Sequence, residues 1–319
     1  MPGALELSPL LALGGLFVGF VVGLTGMGGG ALMTPMLVLF FGVQPLAAVS
    51  SDLVASLVMK PVGSAVHLRR GTVHKQLVTW LMIGSIPSAF VGVLLLRAVG
   101  DGAQVQRVVQ VALGVAVLVA AAAMIAKAAL AGRGSSAGPD AEPQPIVVRK
   151  LPTLLAGVLG GVVVGMTSVG SGSLIIVALL LIYPTLRAKE LVGTDLVQAV
   201  PLVAAASLGH LLFGDFRLDL TASLLLGAVP GVYVGARMSA SIPGGVVRHA
   251  LVVVLVASGL KLVGVPTLVV GWLLLCALAA SVILGVLALR RRAREKSAGA
   301  SGGSGGHLRP EPAATTAQR

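Results

Sequence analysis

Two stretches of this chain, about 142 residues apart, carry the same glycine pattern inside apolar sequence, and no other feature restricts the fold as much. Gly15, Gly19, Gly23, Thr25, Gly28 and Gly30 fall on Gly157, Gly161, Gly165, Thr167, Gly170 and Gly172. After one inserted residue, Asp52, Ser64, His67, Gly71, Gly84, Pro87 and Gly92 fall on Asp195, Ser207, His210, Gly214, Gly227, Pro230 and Gly235. Paired apolar halves whose helices are broken by glycine at matching places are the pattern of a secondary transporter with its site at the repeat interface.

Composition fixes the solvent. Hydrophobic residues make up 56% and charged residues 11%, with a mean hydropathy of +1.00, whereas soluble domains carry about a quarter charged residues. The chain is expected in a lipid bilayer. No barrel-like alternation is present, so helices are the spanning element. The pI near 11.1 does not call for nucleic acid, because the Lys and Arg residues lie in short loops and near the carboxyl end. One cysteine, Cys276, excludes a disulfide framework, and no motif calls for a cofactor or a metal. Residues 1–8 lack the basic start of a cleaved leader.

Apolar segments at 10–26, 30–42, 46–66, 76–97 and 106–131 are followed by 152–168, 172–183, 190–212, 219–239, 246–264 and 266–289. A full span takes about 20 residues, so 30–42 and 172–183 are predicted half-helices that start at glycine turns. The expected fold is an all-α polytopic membrane protein of two inverted-topology repeats with short broken helices, plus one extra C-terminal transmembrane helix. Residues 1–131 form the first repeat, 132–150 a polar flexible linker, 151–264 the second repeat, 265–289 the extra helix, and 290–319 a basic, disordered cytoplasmic tail.

Orientation follows from the basic residues. Arg69, Arg70 and Lys75 mark the loop after the third segment as cytoplasmic, while its counterpart holds Asp215, Arg217 and Asp219. Arg237, Arg248 and the block from Arg290 to Lys296 then also lie inside. The expectation is a multi-pass protein of the cell membrane, amino terminus outside and carboxyl terminus cytoplasmic.

The first turn reads GLTGMGGGALMTP from Gly23 and the second GMTSVGSGSLIIV from Gly165. Glycine allows backbone shapes that aim several N–H groups at one point, and a helix amino end adds about half a positive charge there. That suits a small oxyanion. Candidate binding groups are Thr25, Gly26, Gly28, Gly29 and Gly30 in the first turn, and Thr167, Ser168, Gly170, Ser171 and Gly172 in the second, with Ser173 a further hydroxyl. The glycines spaced at four, Gly15, Gly19, Gly23 and Gly157, Gly161, Gly165, read instead as close helix packing.

At these residues the chain resembles the sulfite exporter TauE/SafE family of membrane permeases. The resemblance rests on GLTGMGGGALMTP, on SAVHLRRGTVH from Ser64 to His74, on VGTDLVQAVPLV from Val192 to Val203, and on the run from Gly209 to Gly235. It implies a polytopic carrier of sulfite, thiosulfate, sulfonates or related small organic anions, without fixing substrate or direction. The thiosulfate-importing branch of that family depends on cysteine, and Cys276 lies outside the repeats.

In the third segment Asp52, Ser56, Lys60 and Ser64 recur every four residues, with His67 three further on, inside an arc of about 120°. A charge near the bilayer centre costs about 2.5 to 3.5 kcal/mol and usually marks a substrate or ion path. Asp52 and Lys60 are about 12 Å apart along the axis, so Lys60 needs a carboxylate from another helix or an anion from solution. Asp195 is one candidate, and the repeat counterpart of Lys60, Val203, is uncharged. Lys60, Ser64 and Ser207 therefore join the binding set. Asp52 and Asp195 serve either as helix caps or as proton-exchanging groups, and His67 and His210 as interfacial hydrogen bonders or gates. Expected partners are a small anion, a coupling proton and the bilayer; a homo-oligomer is compatible with the small-residue faces.

An enzyme is not expected. Ser168 and Ser171 align with Gly26 and Gly29, so backbone shape recurs where the hydroxyl does not. A passive anion channel, or a carrier of a sulfur-free organic acid, stays open.

Overall fold

The computed structural model describes residues 7–25, 29–100, 102–134, 146–186, 188–238, 244–273 and 275. Among the described residues the secondary structure is helical, with no strand. The order is α1 Pro9–Thr25, α2 Gly30–Phe40, α3 Pro45–Arg69, α4 Lys75–Ala98, α5 Ala103–Gly134, α6 Lys150–Thr167, α7 Leu174–Ile182, α8 Ala188–Phe213, α9 Leu218–Met238 and α10 Gly244–Leu262. These helices lie in a first compact unit of residues 1–267; of the second unit, 268–319, only 268–273 and 275 are described, and they are helical. Of the predicted linker at 132–150, residues 135–145 lie outside the described residues, as do Cys276, residues 276–289 of the predicted extra helix at 265–289, and the predicted tail at 290–319.

Among the described residues, five segments are long and apolar enough to cross a bilayer: Lys75–Ala98, Ala103–Ala126, Lys150–Thr167, Glu190–Phe213 and Leu218–Met238. α3, at 25 residues, is also long enough to span, and it carries the polar stripe. α2 and α7 have 11 and 9 residues, short of the roughly 20 that a full crossing takes. Both begin at the glycine turns, as their length and placement in the sequence predict.

Helices from opposite halves of the chain pack on each other. α1 runs beside α9 and α4 beside α6, each pair in the same direction. Glycine makes this possible. A β-carbon on Gly15, Gly19 or Gly23 would stand 2.6, 2.4 or 2.3 Å from the carbonyl oxygens of Leu224, Ala228 and Val232. On the other seam, a β-carbon on Gly157 or Gly165 would stand 2.5 or 2.1 Å from the carbonyl oxygens of Leu81 and Ala89. Small residues bring backbones together where lipid supplies no hydrophobic force between helices.

α3 and α8 also pack together, but antiparallel: Ser50 meets His210 at one end, and Ser64 meets the Leu196 carbonyl at the other. α5 and α10 are antiparallel too, with Gly114 against Gly259 and Val263 and Gln110 bonded to the Leu262 carbonyl. The apolar core follows these pairings, with Leu53, Leu77, Leu81, Leu179, Leu191 and Leu202 fully covered.

Candidate functional site

The α3–α8 pair sets the site. Pro45 starts α3 well upstream of Asp52, and Ala188 starts α8 well upstream of Asp195, so neither carboxylate caps its helix. Both point into protein: Asp52 is 0% exposed and Asp195 2%. A buried charge must find partners. Asp52 Oδ2 accepts hydrogen bonds from Thr34 Oγ1 on α2 at 2.8 Å and from Ser168 Oγ in the second glycine turn at 2.7 Å. Its Oδ1 is buried and has no hydrogen-bond partner among the described residues. Asp195 is held differently: Gln198 Nε2 donates to its Oδ1 at 3.4 Å, and Ser85 Oγ donates to Gln198 Oε1 at 3.2 Å.

Lys60 is 8% exposed and donates from Nζ to Ser171 Oγ, again in the second turn. Both carboxylates act on it electrostatically, Asp195 more than Asp52. The charged stripe of α3 thus touches the turn of the other half twice, Asp52 at Ser168 and Lys60 at Ser171. Pro61 follows Lys60 inside the helix, where it lacks the N–H of the regular ladder.

The turn has the backbone that glycine-rich sequence predicts. Gly170 and Gly172 have φ of 128° and 101°, and Ser168, ending α6, is left-handed at 60°. A side chain other than glycine costs energy in that region, so Ser168 keeps its conformation against a steric bias. The two turns abut: a β-carbon on Gly30 would stand 2.0 Å from the Ser168 carbonyl oxygen. Gly29 and Gly30 are buried, and Gly26 and Gly28 lie outside the described residues. A cleft of about 10 Å³ reaches the turn, lined by Ala31, Ala120, Met124, Ser171, Gly172, Ser173 and Leu255. That holds about one water molecule, too little for a polyatomic anion without movement.

Other candidates are spent on structure. Thr25 Oγ1 donates to the Val21 carbonyl and Thr167 Oγ1 to the Val163 carbonyl, each on its own helix. Ser64 Oγ bonds the Lys60 carbonyl and the Leu196 carbonyl, joining α3 to α8. Ser207 is buried with its hydroxyl unbonded among the described residues. His210 is 0% exposed; it reaches Ser50 Oγ through Nδ1 and the Gly165 carbonyl through Nε2, both at 2.8 Å. Half-buried His67 meets Thr72 Oγ1 at 2.8 Å beside Gly193, the position matching Ser50.

Thr34, Ser50 and Gln198 were not legible as site residues. Thr34 had a signal: it is the one hydroxyl in the short apolar helix GALMTPMLVLF.

The sulfite exporter TauE/SafE family model matches residues 11–262, which spans both glycine turns and the whole α3–α8 pair. The chain belongs to this family. It is 37% identical over 259 residues to the probable membrane transporter protein YjnA of Bacillus subtilis (strain 168), covering 81% of this chain and 100% of that protein. Probable membrane transporter protein YdhB of the same organism is 22% identical over 247 residues, covering 77% and 96%. No solved structure matches. Membership in a transporter family, with several long apolar helices, makes this a multi-pass membrane protein.

Proposed function

We propose that the chain is a secondary carrier moving small sulfur-containing anions, such as sulfite or sulfonates, across the cytoplasmic membrane. The observation that carries this reading is the contact of buried Lys60 with Ser171 in a glycine turn of the other half. An ammonium in an apolar bundle attracts an anion, and a serine hydroxyl is a partner that an anion oxygen can displace. The two glycine turns abut at Gly30 and Ser168, and irregular backbone at membrane depth is tolerated where it lines a cavity.

Residues 1–131 and 151–264 act as inverted repeats in this reading. Its support is that the matched helices α3 and α8 are antiparallel, as are α5 and α10, whereas a parallel duplication would run each pair in one direction. The amino terminus then lies outside and the carboxyl terminus in the cytoplasm, in line with Arg69, Arg70 and Lys75 on one loop and Asp215 and Asp219 on its counterpart. Reporter fusions after Lys75 and after Asp219 report opposite faces of the membrane; a shared face removes the inverted repeat.

The functional test is uptake of labelled sulfite, thiosulfate, sulfoacetate and a sulfur-free organic acid into proteoliposomes holding the purified protein. Saturable uptake of a sulfur anion, with counterflow exchange, supports the carrier. Non-saturating uptake without exchange indicates a passive anion channel, and uptake of the sulfur-free acid alone shifts the substrate class.

A further inference from the structure

We infer that Asp52 is the proton-binding site that couples anion movement to the proton gradient, acting as a latch on the second glycine turn through Ser168. The inference rests on the carrier reading and deepens it. Ionised Asp52 accepts two hydroxyl bonds at Oδ2, one from Thr34 of its own half and one from Ser168 of the other. Its Oδ1 has no partner among the described residues, so a proton placed there displaces none of the donors they supply. Protonation turns a carboxylate acceptor into a neutral carboxyl, and charge-assisted hydrogen bonds are about twice as strong as neutral ones. The Ser168 bond weakens, and with it one of the two side-chain ties that hold the turn to α3 among the described residues.

The second tie is Lys60 to Ser171, three residues along the same turn. An anion that takes over the Lys60 ammonium releases Ser171. Release of the turn therefore needs both a proton at Asp52 and an anion at Lys60, which is the requirement for moving the two together. Ser168 already holds a left-handed backbone at φ 60°, so the turn is biased to relax when its side chain is freed.

The surroundings separate Asp52 from Asp195. The groups facing Asp52 are Thr34 from α2, Ser168 from the turn and, on α3 itself, Lys60. From α8 come Asp195, bonded by Gln198, and His210, tied to Ser50 and the Gly165 carbonyl. α5 contributes Gln106, spent on the Leu46 N–H, and on the α9 side Ser51 reaches the Arg217 carbonyl while the exposed guanidinium sits 3.8 Å from Asp219. Asp195 is bonded by the Gln198 amide, and in sequence Gln198 and Ile176 stand where the first half has Ala55 and Thr34.

The test uses full-length protein in liposomes containing a pH-sensitive dye, with labelled sulfite or sulfoacetate added outside. In Asp52→Asn, proton entry per anion falls at least about ten-fold, a larger loss than in anion counterflow. Proton entry retained in Asp52→Asn, or lost instead in Asp195→Asn, overturns the assignment. A second readout does not depend on transport: Ser173→Cys in a Cys276→Ala background is labelled with a membrane-impermeant thiol reagent at a series of pH values. Divided by the rate for the same cysteine in Asp52→Asn, which removes the fall in thiolate fraction, the rate rises several-fold as pH falls if the turn is latched by ionised Asp52, and a ratio independent of pH rejects the latch. Failure of every tested anion to cross counts against the carrier reading, and the labelling rate still decides the latch.

Discussion

The two glycine seams and the two glycine turns make an instructive pair. Along α1–α9 and α4–α6 the same glycine-on-carbonyl contacts occur in both halves, at matching positions. At the turns the halves part: Ser168 and Ser171 stand where the first half has Gly26 and Gly29, and Lys60 stands where the second has Val203. Where backbone approach is all that matters, both copies keep it. Where charge is handled, one half supplies the ammonium and the other the hydroxyl that receives it.

The largest expected effect lies in the seams. Gly23→Leu places a side chain where a β-carbon already stands 2.3 Å from the Val232 carbonyl oxygen, and Gly165→Leu, at the matching position, does so at 2.1 Å from the Ala89 carbonyl oxygen. Both variants are expected to lose monodisperse protein in size-exclusion chromatography, and to equal extents. A strong asymmetry between them breaks the picture of matched seams.

At the turns the expectation is unequal. Lys60→Ala reduces anion flux by about a hundred-fold at unchanged membrane abundance, since one charge-assisted partner is worth about 2 to 3 kcal/mol. Val203→Lys, the reciprocal change, does not restore flux to that variant. Normal flux in Lys60→Ala removes the main binding residue.

The histidines give smaller and graded effects. His210→Ala breaks bonds to Ser50 and the Gly165 carbonyl in a fully covered site, at a cost of about 1 to 3 kcal/mol read as a lower unfolding temperature. His67→Ala, half-buried with Thr72 as partner, shifts it less. Equal shifts would mean that the two positions remain equivalent despite Ser50 and Gly193.

Much of this was legible in sequence because membrane helices write their length and their glycine spacing openly. The predicted half-helices at 30–42 and 172–183 are Gly30–Phe40 and Leu174–Ile182. The stripe of Asp52, Ser56, Lys60 and Ser64 is buried, as four-residue spacing on an apolar helix requires. What spacing cannot give is which helix lies opposite. Ser168 was readable as a hydroxyl near an anion, but its bond to a carboxylate depends on α3 lying across the turn. The helix-cap alternative for Asp52 and Asp195 failed for a similar reason: Pro45 and the segment at 188 start their helices earlier than the carboxylates suggest.

The pairing of α1 with α9 also bears on how the chain is made. α1 finds its glycine-lined partner only when α9 has been synthesised, and α4 must wait for α6. Until then those grooves face lipid or the insertion machinery, with carbonyls that no neighbouring backbone covers. Assembly of the bundle is therefore a late event that joins two interlaced halves, and neither half has a complete interior without the other.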